Sequence, residues 1–508
     1  MRLVFRAAAL AAVLAFSVGA AAHADDTGKD KPAATEAKKD ADIGDFTPFP
    51  ADAHVAQVSH VAGKTLNYTV TVGSLPVRDE KGKKIAEVVF TAYILDGRAG
   101  DPTTRPVTFA FNGGPGAASV YLNLGAIGPK RVPFGISGEN ASDAPVLQDN
   151  PGTWLDFTDL VFIDPVGTGF SRSLVDQATT KKKFWSTQPD IEYLSRIVYD
   201  WLLKNGRMAS PKYLVGESYG GYRGPRLAHY LQTQLGVGIN GVTLVSPYLD
   251  ASSTGDGSLS PIPWAVNLPS MAAANLERQG KVPSPETMAD VENYARGEYI
   301  VDLLKGAHDQ AAVDRIVQKV TAFTGLDPTF VKRDAGRLDT GDFLRGVYRD
   351  QGLIGSVYDS TVTAYDPFPW SPQQRSSDPL LDSIIAPTTS AMVDFVTRTV
   401  GWKVDGRYEA LSFEVGRNWD GGIGNIEAVT DLRQAVALDP KLKVLIVHGY
   451  NDLSCPFFAS KLIVDQMPIM GDPNRVQVHV YPGGHMFYSR PGSQSALRHD
   501  VMTLYGAA

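Results

Sequence analysis

Residues 211–231 read PKYLVGESYGGYRGPRLAHYL, and the five letters from Gly216 to Gly220 follow the pattern G-x-S-x-G. An apolar, β-prone run at 213–215 precedes this pentad, and an amphipathic stretch follows it. A strand, a sharp turn and a helix in this order form a nucleophile elbow, which holds a serine hydroxyl exposed above a sheet. Glycine at both ends permits the tight turn because it has no Cβ. Since glycine and serine also occur in ordinary turns, the pentad by itself leaves both interpretations open.

Three further segments favour the elbow. The strand-like run VTFAF (Val107–Phe111) leads directly into NGGPG at 112–116. A glycine-rich loop between strand and helix offers free backbone N–H groups to an oxyanion. Asp452 and His485 each stand just beyond another predicted strand, and open α/β sheets gather their active sites at the carboxyl ends of strands. Because the chain order Ser, Asp, His is that of the α/β-hydrolase triad, we predict an α/β-hydrolase fold.

Five blocks of the sequence resemble the conserved blocks of the serine carboxypeptidase family (peptidase S10). They are FNGGPGAASVYLNLGAIGP, LVFIDPVGTGFS, GESYGGYRGPRLA, HGYNDLSCP and GGHMF, and they extend from about Val107 to Met486. The resemblance implies a carboxypeptidase that hydrolyses the C-terminal peptide bond of peptides through an acyl-enzyme on Ser218, and with the amino terminus described below we expect a bacterial exported member of the family. Its expected partner is a peptide with a free C-terminus. The sequence contains no zinc signature, P-loop or dinucleotide fingerprint, so we expect no metal and no cofactor.

The three residues have the chemistry that acyl transfer requires of a nucleophile, a base and an acid that orients the base. Ser218 should attack a carbonyl carbon while His485 accepts its proton and Asp452 holds the imidazole in the required tautomer. The chain has nine histidines, and His485 is the one that follows the last core strand, where this fold places its base. We interpret His229, His448 and His479 as structural, and Asp250, Asp420 and Asp439 are other loop acids that could take the place of Asp452.

Substrate recognition is predicted around the elbow. The backbone N–H groups of Gly114 and Tyr219 should form the oxyanion hole, although a simple tight turn would also explain NGGPG. The resemblance places Asn112 and Glu217 against the terminal carboxylate of the substrate, where two carboxyl groups attract only while one is protonated. Glu217 could instead be an elbow residue held by local hydrogen bonds. Similar proteins often have a second Glu where this chain has Ala126, which predicts a weaker acid preference. The other residues assigned to substrate binding are Gly113, Cys455 and Met486.

The predicted fold class is α/β, with an antiparallel β-meander from about 46 to 97 in front of the hydrolase core. Core strands are predicted at 107–111, 160–163, 213–215, 242–245, 444–447 and 476–481. The stretch at 187–206 has one apolar stripe, typical of a helix packed on a sheet. From about 249 to 435 strand signals cease and helical patterns replace them. We predict core segments at 47–250 and 436–508, with a mostly helical insertion at 251–435 that forms a lid.

Composition and the amino terminus indicate an exported globular protein. The 508 residues are 43% hydrophobic and carry a formal net charge of −7, which gives no support for a nucleic-acid partner. Residues 1–24 have a basic start, a short apolar core and an A-x-A site, as in a secretory signal peptide. An uncleaved membrane anchor is the alternative. Residues 25–46 are charged, have few large apolar side chains and are predicted to be a disordered linker. We expect a periplasmic or secreted protein with no membrane association after cleavage.

Cysteine use sets one further constraint. Cys455 is the only cysteine, so no intramolecular disulfide can form. It could be a nucleophile, but no His-paired cysteine signature surrounds it. In the family that the chain resembles, a cysteine at this position lines the substrate pocket, and we adopt that role for Cys455.

Two other classes of function remain open. An esterase or acyltransferase could use the same fold and triad, and Ala126 is the feature that favours it. A non-catalytic binding protein on a hydrolase scaffold is the second alternative. The complete set of Ser, Asp and His argues against a binding protein, because loss of activity normally removes one of them. The oligomeric state is not predicted.

Overall fold

The computed structural model describes residues 46–97, 102–133, 142, 145–253, 260–372, 374–422 and 426–507. The signal peptide predicted at 1–24 and the linker predicted at 25–46 lie outside these residues, apart from Phe46. None of the helices in the described ranges is both long and apolar enough to cross a membrane.

The β-strands of the described residues range from two to fifteen residues in length. They are β1 (Ala53–Val61), β2 (Lys64–Arg78), β3 (Lys84–Leu95), β4 (Val107–Phe111), β5 (Lys130–Arg131), β6 (Gln148–Asp149), β7 (Asp159–Ile163), β8 (Arg172–Ser173), β9 (Lys212–Glu217), β10 (Gly241–Val245), β11 (Leu353–Gly355), β12 (Thr363–Tyr365), β13 (Lys443–Gly449) and β14 (Val476–Tyr481). The six strands predicted for the core correspond to β4, β7, β9, β10, β13 and β14. Their bounds agree with the prediction to within two residues.

Ten of these strands form one mixed sheet in the part of the chain that the structure describes. Its order is β1-β2-β3-β7-β4-β9-β10-β13-β14, and β8 pairs with β3. The pairs from β1 to β7 are antiparallel, which confirms the predicted meander. The pairs from β7 to β14 are all parallel, so the carboxyl ends of these strands meet at one edge of the sheet. This is the α/β-hydrolase fold predicted from the sequence.

Helices cover the sheet and contain far more of the described chain between β10 and β13 than strands do. They are α1 (Gln177–Phe184), α2 (Thr187–Lys204), α3 (Tyr219–Gln234), α4 (Ile262–Arg278), α5 (Pro285–Tyr294), α6 (Ile300–Lys305), α7 (Gln310–Thr324), α8 (Pro328–Arg333), α9 (Thr340–Gly346), α10 (Pro379–Asp394), α11 (Phe413–Arg417), α12 (Val429–Leu438), α13 (Phe457–Asp465) and α14 (Pro491–Tyr505). Local sequence defines many of their ends. For example, the Asp309 side chain accepts the Ala312 N–H at the start of α7, and Gly325 ends it in the left-handed region.

The segment between β10 and β13 departs from the sequence prediction in one respect. We expected no strand between 249 and 435, but β11 and β12 form an antiparallel hairpin there. Each strand is three residues long, too short to show the alternation of apolar and polar residues by which a strand is recognised. The hairpin brackets residues 356–361, which contact the candidate active site described below.

The parallel strands send alternate side chains into two apolar clusters, one on each face of the sheet. Phe109 and Leu214 belong to the cluster that includes side chains of α2, α3 and α12. Ala110 and Val215 belong to the other cluster, which includes side chains of α10 and α14. The alternation follows from the two-residue period of a strand. Because both faces of the inner parallel strands are buried, those strands read as largely apolar runs, whereas β14 at the edge of the sheet is half-buried and alternates, as VQVHVY.

Candidate active site

Ser218 lies at the sharp turn between β9 and α3. Its backbone angles, φ 61° and ψ −122°, fall in a region that residues other than glycine rarely adopt. Holding such a residue there costs on the order of 1–3 kcal/mol, and such strain concentrates at active sites. Gly216 packs directly on the carbonyl of Gly220, so a side chain at 216 would overlap that oxygen. Ser218 is partly exposed between the buried Glu217 and Tyr219, as expected for a nucleophile elbow.

Asp452 and His485 form a buried hydrogen-bonded pair. His485 Nδ1 lies 2.8 Å from Asp452 Oδ2, while Asp452 Oδ1 accepts the backbone N–H groups of Ser454 at 2.8 Å and Cys455 at 2.9 Å. Because the carboxylate only accepts, a neutral imidazole donates from Nδ1 and keeps Nε2 as its acceptor. Burial alone would lower the pKa of His485. The charge of Asp452 and its hydrogen bond outweigh burial and raise the pKa of His485 well above its usual range.

Strand order brings this pair to the edge of the sheet that carries Ser218. The Ser218 N–H donates to the carbonyl of Val245, the last residue of β10, at 3.0 Å. The next residue, Ser246, donates from its Oγ to the His485 carbonyl at 2.9 Å. Its backbone N–H donates to Val447 in β13 at 2.7 Å. The elbow and the loops after β13 and β14 are therefore linked through the end of β10.

Three histidines that the sequence analysis interpreted as structural have other partners. His448 Nε2 lies 2.8 Å from Ser460 Oγ, and burial lowers the pKa of His448 to about 3. His229 and His479 each lie 2.7 Å from a carboxylate oxygen, of Asp431 and Asp500 respectively.

The NGGPG loop after β4 packs against the elbow. Gly113 is so close that a Cβ there would lie 2.5 Å from Tyr219 N and 2.8 Å from Ser218 Cβ. Gly114 has φ 101°, which favours glycine, and its peptide bond to Pro115 is cis. The two predicted oxyanion donors, the N–H groups of Gly114 and Tyr219, thus belong to segments in direct contact. Donors from two such segments can converge on one oxygen.

Glu217 is buried and is held by two side chains. Asn112 Nδ2 donates to Glu217 Oε2 at 2.9 Å, and the Leu122 N–H donates to Asn112 Oδ1 at 2.9 Å, which fixes the orientation of the amide. The Tyr488 hydroxyl lies 3.0 Å from Oε1 and 2.9 Å from Oε2. Burial raises the pKa of Glu217 to about 7, although the charge of His485 and the two donors oppose it. Asn112 and Glu217 are predicted from the sequence, whereas no sequence signal points to Tyr488.

Cys455 and Met486, the predicted pocket residues, are buried beside the pair. An Asp452 oxygen, Cys455 Sγ and a His485 ring nitrogen lie within 4.8 Å of one another, a donor set that a metal could use. We interpret the cluster as the acid–base pair with a neighbouring thiol, because Asp452 already accepts hydrogen bonds at both oxygens. Burial raises the pKa of the Cys455 thiol, which disfavours a nucleophilic thiolate. Met486 packs in an apolar cluster with Tyr121.

A buried ion pair that was not predicted from the sequence holds the NGGPG loop in place. Arg223 Nε donates to Asp190 Oδ2 at 2.7 Å, and Arg223 Nη1 donates to the Asn112 carbonyl at 2.7 Å. Both charged side chains are buried. A signal was available, because Arg223 shares the four-residue spacing of the buried Leu227 and Leu231 on α3. A charge on the buried stripe of a helix requires a partner.

Residues 356–361 of the long segment between β10 and β13 contact both loops that carry the pair. The Leu453 N–H donates to the Val357 carbonyl at 3.0 Å, and the His485 N–H donates to the Tyr358 carbonyl at 2.5 Å. The Tyr358 ring lies 5.3 Å from the His485 ring at an interplanar angle of 75°. The sequence offered no signal for these contacts, because they join residues that lie far apart in the chain.

Comparison with known proteins places the chain in a family. A profile described as serine carboxypeptidase matches residues 89–489, well over half of the chain. The chain belongs to the serine carboxypeptidase family. The matched range contains NGGPG, Ser218, Asp452 and His485. The site described above therefore lies within the region that this serine carboxypeptidase shares with its family.

Individual relatives match over shorter stretches. The chain is 31% identical over 166 residues to serine carboxypeptidase-like 50 of Arabidopsis thaliana, covering 31% of this chain and 33% of the relative. It is 30% identical over 153 residues to pheromone-processing carboxypeptidase KEX1 of Yarrowia lipolytica, covering 30% and 23%. The chain thus spans a third or less of these curated relatives. Kex1(delta)p of Saccharomyces cerevisiae, a prohormone-processing carboxypeptidase, has a similar structure, with 17% identity, a TM-score of 0.53 and coverage of 86% and 91%. At that identity the likeness establishes the fold alone.

Proposed function

We propose that this protein is a serine-type carboxypeptidase that hydrolyses the C-terminal peptide bond of peptides through an acyl-enzyme on Ser218. The observation that carries the proposal is the buried hydrogen bond between Asn112 and Glu217. Glu217 directly precedes the elbow serine, and Asn112 precedes Gly113, which packs on the elbow. A carboxyl and an amide at this position can recognise a substrate carboxylate whose carbon is three bonds away from the attacked carbonyl carbon.

The proposed reaction uses the groups in fixed roles. Ser218 Oγ attacks the carbonyl carbon of the scissile bond, and His485 Nε2 accepts the serine proton and delivers it to the leaving amine. Asp452 stays ionised and keeps the other imidazole proton on Nδ1. The N–H groups of Gly114 and Tyr219 donate to the oxyanion, a contribution of about 3–4 kcal/mol per donor in such sites. Water then attacks the acyl-enzyme with His485 again as the base, which releases the shortened peptide.

Recognition of the terminal carboxylate sets the pH range of the reaction. A protonated Glu217 donates a hydrogen bond to the substrate carboxylate, and the second hydrogen of Asn112 Nδ2 can do the same. Once Glu217 ionises, its charge repels the substrate. Because burial raises the pKa of Glu217 to about 7, recognition of free acids should decline as pH rises through that value. His485 makes the opposite demand, because Asp452 raises its pKa and it must be neutral to act as the base. Cleavage should therefore be fastest where the two demands overlap. Gly113, Cys455 and Met486 are proposed to complete the substrate pocket.

The test compares matched peptides that differ only in having a free or an amidated C-terminus, incubated below and above pH 7 and followed by mass spectrometry. The proposal expects single residues to be released stepwise from the free acid and little cleavage of the amide. Fluorophosphonate should label Ser218 in the same preparation. Equal cleavage of both peptides would contradict carboxylate recognition, and the absence of an adduct would favour a binding protein.

An esterase or acyltransferase on the same triad is the second candidate, and Ala126 favours it. Its methyl group supplies no hydrogen bond to a substrate, and its carbonyl accepts from Asn150 at 3.0 Å and Gln494 at 3.1 Å within the core. If the enzyme is an esterase, activated esters should be cleaved while peptides with free C-termini remain intact in the same assay.

We also propose that the protein is an exported member of the family from a bacterium, periplasmic or secreted, with 1–24 as its signal peptide and 25–46 as a linker. The basic start, apolar core and A-x-A site support this. The segment 251–435 is proposed as a lid between the core segments 47–250 and 436–508, and the contact of 356–361 with the Asp452 and His485 loops supports it. Amino-terminal sequencing of the exported protein tests the cleavage site after Ala24.

A further inference from the structure

Tyr488 completes the surroundings of Glu217, and no role in the reaction above uses it. We propose that Tyr488 is a positioning residue that holds the Glu217 carboxyl in the orientation that binds the terminal carboxylate of a peptide. The inference rests on the proposed function and adds a residue that determines its specificity and pH range.

Packing leaves the Tyr488 hydroxyl little freedom to point elsewhere. The side chain is fully buried, and its ring lies 5.9 Å from that of Phe487 at an interplanar angle of 65°. Both rings belong to the apolar cluster that also contains Tyr121. A rigid ring therefore delivers the hydroxyl to a point 3.0 Å from Glu217 Oε1 and 2.9 Å from Oε2. Such a position suits a donor shared between the two oxygens.

Two donors from separate segments define the plane of the carboxyl group. Asn112, at the end of β4, donates to Oε2, and Tyr488 approaches both oxygens from the loop that follows His485. Oε2 accepts hydrogen bonds from both side chains. We therefore assign to Oε1 the proton that Glu217 donates to the substrate carboxylate. Tyr488 can donate to Oε2 whether or not Oε1 is protonated. The hydroxyl thus holds one orientation of Glu217 in both states.

The same contact affects the pH at which Glu217 loses its proton. The groups that face Glu217 are Asn112, Tyr488, Tyr121, His485 and Asp452. Burial raises the pKa of Glu217, the charge of His485 and the donors Tyr488 and Asn112 lower it, and the charge of Asp452 raises it. Removing the Tyr488 hydroxyl deletes a donor to the ionised carboxylate. Glu217 should then keep its proton to a higher pH.

The experiment measures kcat/KM against pH for matched free-acid and amidated peptides. Tyr488→Phe should lower kcat/KM for the free acid about tenfold in acid, since one hydrogen bond that fixes the carboxyl is lost, and should leave the amide unchanged. The alkaline midpoint, which is the pH at which kcat/KM for the free acid has fallen to half on the alkaline side, should move up by about one pH unit in this variant. Tyr481→Phe is the matched control, because the Tyr481 hydroxyl donates to a different carboxylate, Asp500, at 2.5 Å. Neither quantity should move in that variant.

The Glu217→Gln variant provides a second background, in which a positioning role of Tyr488 can be distinguished from a role in packing alone. In Glu217→Gln, residue 217 no longer titrates, so adding Tyr488→Phe should leave the pH profile unchanged. A Tyr488→Phe profile that superimposes on wild type would overturn the role of Tyr488 while the preference for free acids stands. A shift of the same size in the Glu217→Gln background would also overturn it. Wild-type enzyme that cleaves free acid and amide equally would overturn the proposed function and this inference with it.

Circular dichroism and thermal unfolding establish whether Tyr488→Phe folds. If it does not, 3-fluorotyrosine at 488 provides the test, because fluorine makes the phenol a stronger donor and should move the alkaline midpoint down. An unchanged or higher midpoint with 3-fluorotyrosine would refute the role of Tyr488.

Discussion

Replacing Glu217 by Gln should make the folded protein more stable relative to wild type at and above neutral pH than it is relative to wild type in acid. A glutamine has the shape and charge of the protonated acid. Its Oε1 can take the place of Glu217 Oε2 and accept from both Asn112 Nδ2 and the Tyr488 hydroxyl, so the hydrogen bonds observed at Oε2 have counterparts in the variant. What the variant lacks is a buried group that ionises.

The magnitude follows from linkage between protonation and folding. In the unfolded chain the carboxyl of Glu217 ionises near its ordinary pKa of 4.5, whereas burial raises its pKa to about 7 in the folded protein. Between these values the unfolded chain releases the proton and the folded protein retains it, so the free energy of unfolding falls as pH rises. The loss is about 1.4 kcal/mol per pH unit, or about 3 kcal/mol in all. Glu217→Gln avoids this loss.

Urea unfolding of the two proteins between pH 4.5 and about pH 8 measures the effect. The difference in free energy of unfolding, variant minus wild type, should increase by about 3 kcal/mol across this interval. Glu87→Gln is the control of opposite sign. Burial would raise the pKa of Glu87, but its bonds to Lys84 and Arg172 outweigh burial and lower it. Wild type should therefore gain stability over that variant as pH rises toward 4.5, so this pair is also measured below pH 4.5, and its two curves should run nearly parallel above that value. Parallel curves for Glu217→Gln and wild type would refute the reasoning about Glu217.

Three further outcomes test the assignments. Ser218→Ala should reduce hydrolysis by about three orders of magnitude or more without changing thermal unfolding; a rate above about a tenth of wild type would mean another nucleophile. Arg223→Leu leaves Asp190 buried without its partner and should cost about 3–5 kcal/mol in urea unfolding, and adding Asp190→Leu should restore most of it. No recovery in the double variant would show that the pair does not act as a unit. Protein that begins at Asp25 should fold and hydrolyse peptides like the mature enzyme, and an insoluble product would contradict the assignment of 1–24.

The sequence was sufficient wherever a local pattern carries the structure. Strand β4 was predicted to the residue because an apolar run ends at a glycine-rich loop, and the elbow was predicted because G-x-S-x-G imposes its own backbone geometry. The inner parallel strands are buried on both faces, so their apolar composition identifies them, and β14 at the edge of the sheet is identified by its alternation instead. The hairpin β11–β12 was missed because three residues carry no period. Helix α2 was predicted from its apolar stripe, and the helix ends at Lys204, two residues before the predicted limit.

The tertiary structure decided which polar groups meet. Asp452 and His485 could be placed at one edge from the order of the strands, but the sequence could not show that Tyr488 contacts Glu217 or that Arg223 spans from Asp190 to the Asn112 carbonyl. Nor could it show that the Tyr358 carbonyl accepts the His485 N–H. These contacts join segments that lie far apart in the chain, and their geometry depends on how helices and loops pack over the sheet. The sequence by itself determined the kind of chemistry, because nucleophile, base and oxyanion loop are local motifs. The fold determined the electrostatics of Glu217, because a pKa depends on burial and on neighbours that only packing supplies.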